Sequence, residues 1–250
     1  MSLWEGCGGT ALVTAVDGRL WRLVESQEET ATMSFVDTLD EQALLESLLE
    51  DSKPPSLPGS EELHYLLKTP FRYPPLRWGS RFGRPHELGI FYGGLSVTTT
   101  LAESAYYRFL FWHSMAGEPP APRIQSEHSL FSVRYATGQG IRLQEPPCDV
   151  HRNLIAHPAD YRATQVLGST MREAGVQAFE YPSARDPKGG TCAGLFTPQA
   201  LASRKPANLE PWWCELSTGE VLFKTRERKP IHRFHLDDFL YRGKLPLPAN

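Results

Sequence analysis

Cysteine is scarce in this sequence, with four thiols in 250 residues at Cys7, Cys148, Cys192 and Cys214. No two of them form a CxxC pair, so zinc-ribbon and thioredoxin-type motifs are excluded, and scattered free thiols fit a reducing compartment. An excess of one charge is lacking too. Lys and Arg number 26 against 29 Asp and Glu, a formal net charge of −3, without the basic surplus of a general nucleic-acid coat. No long hydrophobic run is present. The longest uncharged, largely apolar run, near residues 88–102, is too short and too rich in Gly and Thr to span a bilayer. The opening MSLWEGCGGTALV has no basic segment leading into an apolar one. A cytoplasmic protein with no membrane or nucleic-acid partner of its own is therefore expected. Neither GxGxxG nor GxxxxGK[ST] occurs, which leaves Rossmann and P-loop nucleotide binding without support.

What is present reads as a globular chain. It is 40% hydrophobic and 22% charged, and its length suits one large domain or one domain with an appendage. Residues 10–24 alternate apolar and polar around an Asp17-Gly18 turn signal, which predicts a short hairpin. Thr38-Leu-Asp-Glu41 is a capping-box pattern opening a helix. Leu39, Leu44, Leu45, Leu48 and Leu49 form its apolar stripe, and a Pro-rich linker follows at residues 51–59. This reading places a boundary near residue 60, between an N-terminal appendage (1–60, hairpin plus helix) and a main domain (61–250). Within the main domain, Ile90-Phe91-Tyr92 reads as a strand, Gly93-Gly94 as a turn, and residues 98–112 as a helix with apolar spacing at Leu101, Ala102, Ala105, Tyr106, Phe109 and Leu110. Residues 131–135 read as a strand, 161–173 as a helix, 176–181 as a strand before a polar loop, and 212–224 as a strand pair. Leu195-Phe196 reads as the start of a further element. The fold class is α+β, with mixed short strands and helices.

Four arginines, Arg72, Arg77, Arg81 and Arg84, cluster among glycines, prolines and aromatics. Guanidinium forks in such a setting suit phosphate, and a solvated basic loop is the competing reading. Tyr92, at a strand end beside a Gly turn, either presents its ring to a planar ligand or packs in the core. Glu103 closes a Thr100-Leu-Ala-Glu103 capping box, or else lies inside a helix that starts at Ser96 or Thr98. In the second case it shares a face with Tyr107 and is free to line a cleft. Ser183, beside Pro182 and near Arg185, lacks the G-x-S-x-G setting of a nucleophile elbow, so it reads as a hydrogen-bonding serine. His232 and His235 fall on opposite faces of a strand with no partner ligands nearby, and no metal site is expected.

Taken in order, GSRF at residues 79–82, GIFYGGLSVTTTLAES at 89–104 and FEYPSARDPKGGTCAGLF at 179–196 resemble the RES domain family. The resemblance covers roughly residues 65–200. It implies an ADP-ribosyltransferase-like core and an enzyme that degrades NAD, with NAD as a consumed substrate, no bound cofactor, and water or phosphate as acceptor. It further implies the toxin of a toxin–antitoxin pair, restrained by a small helical antitoxin. On this resemblance Glu103 stabilises the developing ribosyl cation, and Arg81, with Arg72, binds the pyrophosphate. Tyr92 packs on the nicotinamide or its ribose, and Ser183 hydrogen-bonds nearby. Were phosphate the acceptor, charge and position alone would point to Arg185 or Lys188 as its ligand. Family members separate an early aromatic-Arg pair from the GSRF-like arginine by a longer interval than Phe71-Arg72 does here. Two alternatives stand beside this reading: transfer of ADP-ribose to a macromolecule, and a non-catalytic binding module.

Overall fold

The computed structural model describes residues 2–26, 35–55, 57–75, 77–226 and 230–247; Ser56 of the Pro-rich linker lies outside them. The spine of the molecule is β3 (Ile124–Arg142), and β1 (Thr14–Glu25) pairs antiparallel with it from Thr14↔Gly140 to Glu25↔His128. The other edge of β3 carries β6 (Ala207–Leu216), antiparallel, along its first half. Its last residues, Gly140–Arg142, pair in parallel with β4 (Ala178–Pro182). β4 pairs with β5 (Thr191–Leu195), β5 with β2 (Phe91–Gly94), and β2 returns to β1 at Gly94↔Trp21. The pairing β1–β2–β5–β4–β3 thus closes on itself. β7 (Glu220–Thr225) and β8 (His232–His235) extend the sheet beyond β6. Helices and strands are mixed along the chain, so the fold class is α+β.

The hairpin expected at residues 10–24 is not formed, because β1 runs unbroken through Asp17-Gly18. Gly18 lies opposite Tyr135, and a Cβ there would stand 2.7 Å from the tyrosine oxygen. Its glycine thus makes room for a ring on the neighbouring strand, and no turn is needed. β1 also carries the sheet across the boundary expected near residue 60. Of the first 60 residues, α2 (Leu39–Ser52) is the part that stands out from the core. It has the expected capping box, Thr38 with Glu41, but its stripe faces solvent, with Leu39, Leu44 and Leu48 at 75%, 61% and 58% exposure. Among the described residues Leu45 alone of the stripe is half-buried, and helical spacing alone could not reveal which side would find a partner.

Period-two burial along the closed strands makes one core. Val16, Leu20, Phe91, Phe131, Val133 and Leu195 pack with Leu67 and Phe71 of α3 (Tyr65–Arg72). A second core joins Trp4 and Cys7 around α1 (Leu3–Gly6) to Phe179, Tyr181 and the inner face of α6 (Arg162–Glu173). A third sets α4 (Val97–His113) on β6 and β7 through Leu101, Ala105, Tyr106 and Phe109. Leu195-Phe196 ends β5, where an element was expected to begin. All four cysteines are buried and free. Among the described residues, no helix is long and apolar enough to cross a membrane.

Candidate active site

The site forms where α4 leaves the sheet. Ser96 caps the helix, its hydroxyl accepting from the Thr99 amide at 3.1 Å. The helix therefore starts a full turn before Thr100. Glu103 lies in its interior, and Glu103, Ser104 and Tyr107 line a cavity of about 260 Å³. The opposite side of α4 is the core side, where Tyr106 and Trp112 are buried.

Glu103 is held from across the fold. The Ser183 hydroxyl donates to Oε1 at 2.5 Å, and the Cys192 thiol approaches the same oxygen at 3.7 Å. Burial, and then the charge of Glu103, push the Cys192 thiol well up, so it stays a neutral donor. The Ser183 oxygen in turn accepts from the amides of Arg185 at 3.1 Å and Asp186 at 2.9 Å. With both lone pairs and its proton committed, Ser183 orients the carboxylate and is poorly placed to act as a nucleophile. Its loop is closed by Ser183 N–H to Gly190 O, 2.8 Å, and tied to α4 by Thr99 Oγ1 to Asp186, 2.9 Å. Glu103 Oε2 has no hydrogen bond among the described residues.

Arg81 sits in a turn whose geometry demands Gly79. Gly79 has φ +82°, and a Cβ on it would come within 2.4 Å of the Gly83 carbonyl. Gln165 on α6 donates to the carbonyls of Trp78 and Ser80, and Tyr92 ties the turn from the other side. The Tyr92 oxygen is 3.0 Å from Ser80 Oγ and accepts from Phe82 N–H at 3.1 Å, so it brackets Arg81. Burial pushes the Tyr92 hydroxyl up to about 12. Its ring meets Phe179 and Tyr181 edge-on while lining the cavity.

The guanidinium of Arg81 donates to the carbonyls of His157 (2.8 Å) and Ile155 (3.3 Å), and approaches the Tyr161 hydroxyl at 3.4 Å. Arg185 reaches the same hydroxyl at 3.0 Å and the Pro158 carbonyl at 2.6 Å, and lies over the ring of Tyr106. Two cations thus converge on one phenol at the cavity wall. Burial opposes the Arg81 charge, and the fields of Tyr161 and then Glu103 outweigh it, raising its pKa.

Of the residues singled out in the sequence, Arg81, Tyr92 and Glu103 line one cavity, with Ser183 bonded to Glu103 behind them. Arg72 does not join them. Its guanidinium is bound to Glu50 at 2.5 Å and to the Pro54 carbonyl, where it ties α2 to α3. Arg77 and Arg84 also stay off the cavity wall, and so does Lys188, whereas Arg185 is on it.

The model of the RES domain family matches residues 57–217. The chain belongs to the RES domain family. A solved chain from the crystal structure of the M. tuberculosis MbcT-MbcA toxin-antitoxin complex is similar at 12% identity and a TM-score of 0.46, covering 87% of this chain and 95% of that one. No curated protein matches.

The RES match begins after β1, yet β1 contributes to the cavity. Arg22 lines it, its guanidinium lying 4.7 Å from the Phe91 ring centre with no hydrogen bond or ion pair among the described residues. Burial lowers its pKa to about 10, which leaves it charged near neutral pH. The sequence reading missed it, although one signal was available. Arg22 shares the strand parity of Val16 and Leu20, the inward face. Tyr161 and Cys192 were missed as well, because their partners, Arg81 and Arg185 for the tyrosine and Glu103 for the thiol, lie 24 to 89 residues away.

Proposed function

We propose that this RES domain protein degrades NAD by breaking the bond between nicotinamide and ribose, and that it is the toxin of a toxin–antitoxin pair. The observation that supports this best is Glu103: a carboxylate fixed through one oxygen, its other oxygen without a hydrogen bond among the described residues, in a cavity that three guanidinium groups and five aromatic side chains also line. The bond in NAD joins C1′ of ribose to a cationic pyridinium. When it breaks, the electron pair goes to the ring nitrogen, nicotinamide leaves neutral, and no general acid is needed. The ribose is left oxocarbenium-like, as in glycoside hydrolysis.

Glu103 is assigned to stabilise that charge, and Ser183 and Cys192 to hold it in place beforehand. Arg22, Arg81 and Arg185 supply positive charge for the diphosphate, Arg22 having the most donors uncommitted. Tyr92 holds the Arg81 turn and walls the cavity. Water or phosphate then forms the new bond to C1′ through oxygen and loses its proton to solvent. Family resemblance supports a small helical antitoxin as the partner that silences the site.

Purified protein, freed of any copurifying inhibitor, should release nicotinamide from NAD, and Glu103→Gln should abolish the release. Dependence on added phosphate assigns phosphorolysis, and equal release without it assigns hydrolysis. Gain of ADP-ribose mass on a protein or nucleic acid would instead assign transfer. No release by folded wild-type protein refutes the reading.

A further inference from the structure

The cavity around Glu103 is one of two compartments that meet edge to edge. The second, about 400 Å³, continues past Tyr92, Tyr161 and Arg22 and is walled by Tyr73, Pro74, Pro75 and Trp78. The two differ in character. Arg22, Arg81, Glu103 and Arg185 line the first, whereas among the described residues Arg22, at the junction, is the single charged side chain lining the second. At about 260 Å³ the first compartment falls below the roughly 300–1,000 Å³ of clefts that bury a drug-sized ligand. A dinucleotide does not fit in it whole.

Both compartments are built from one turn. Gln165 fixes the carbonyls on either side of Gly79, so Trp78 faces one compartment and Arg81 lines the other in a fixed relation. The exposed Arg77 guanidinium lies over the Trp78 ring, 5.2 Å from its centre. Along the cleft this makes a carboxylate, then a cation without an ion pair among the described residues, then an aromatic and proline groove. A dinucleotide presents matching groups in that order: a ribosyl cation in the transition state, a diphosphate, and a flat purine.

We infer that the Trp78 groove takes the adenosine half of NAD and makes the enzyme select dinucleotides over mononucleotides. The inference rests on the proposed reading of the Glu103 cavity. Its contribution is stacking, and losing one aromatic platform for a base weakens binding by about tenfold.

Two measurements separate the groove from the cleavage reading. AMP and ribose 5-phosphate are titrated calorimetrically into wild-type, Trp78→Ala and Trp78→Phe protein. AMP should bind wild type, weaken by about tenfold in Trp78→Ala, and recover in Trp78→Phe. Ribose 5-phosphate should not distinguish them. In parallel, nicotinamide release is followed from NAD and from nicotinamide mononucleotide. Trp78→Ala should raise KM for NAD by about tenfold and leave the mononucleotide kinetics unchanged. Absence of AMP binding to wild type overturns the inference, and so does an equal loss on both substrates. AMP binding through Trp78 without any nicotinamide release would support the groove and refute the cleavage reading alone.

Discussion

Ser183→Ala tests the central arrangement most directly. The substitution removes the bond to Glu103 Oε1 at 2.5 Å and the acceptor for two amides. A hydrogen bond to a charged group contributes about 1.5–3 kcal/mol. If that free energy orients Glu103 in the transition state, kcat should fall by roughly 10- to 100-fold, at about 1.4 kcal/mol per factor of ten. The Arg185 and Asp186 amides lose their acceptor, and water reaching this partly buried loop would replace part of it, leaving a stability loss of about 2 kcal/mol. For a chain of this size that corresponds to a drop in Tm of about 4–8 °C. Steady-state nicotinamide release and thermal melts read both numbers. Glu103→Gln, which removes the charge itself, should cost more than about 1,000-fold in rate with little change in Tm. If Ser183→Ala were as inactive as Glu103→Gln, or an ADP-ribosyl adduct mapped to Ser183 in wild type, the serine would be a nucleophile and the positioning argument would fail.

Three further outcomes follow from particular residues. Arg22→Met should raise KM for NAD by about tenfold or more with little change in Tm, because it removes a half-buried, cavity-lining charge that has no hydrogen bond or ion pair among the described residues; a lowered Tm with unchanged KM would place Arg22 in the packing instead. His128, buried beside Phe223 and near the charges of Arg108 and Glu25, is held down to about 4, first by burial. The folded state therefore binds fewer protons there than the unfolded chain, and this contribution, roughly 3 kcal/mol at most, is present above pH 6.5 and lost as pH falls toward 4. Urea unfolding of wild type against His128→Gln across that window should show the variant with the flatter profile, and parallel profiles would contradict the assignment. Leu44→Gln with Leu48→Gln should leave Tm within about 1 °C, since both leucines are mostly solvated; a large drop in chemical stability would mean that α2 packs on something in solution.

Features completed within a few residues were legible in the sequence. The Thr38–Glu41 capping box forms as its spacing suggests. The strand and helix at residues 91–113 are present, with Ser96 as the cap that takes Glu103 into the helix interior, but Gly93-Gly94, expected as a turn, continue β2 and pair with Ala193 and Cys192. The residue spacing of the RES motifs was equally local, so the family could be read from the chain. The errors share one cause: each depended on what lay across from a residue. Asp17-Gly18 has the chemistry of a turn, but Tyr135 stands opposite and keeps β1 straight. Leu39, Leu44 and Leu48 of α2 have core spacing but are exposed and join no core among the described residues. Arg72 has the setting of a phosphate ligand, yet Glu50 and Pro54 take its donors.

The sequence by itself determined the composition class, the local helix and strand signals, and the order of the family motifs, because those rest on backbone hydrogen bonding and side-chain spacing over a few residues. Only the tertiary structure decided which arginines reach the cleft, that Ser183 holds Glu103 from 80 positions away, and that β1 delivers Arg22 to the same cavity. Side-chain chemistry is local, but burial, charge pairing and orientation come from strand closure and helix packing, which bring distant segments together.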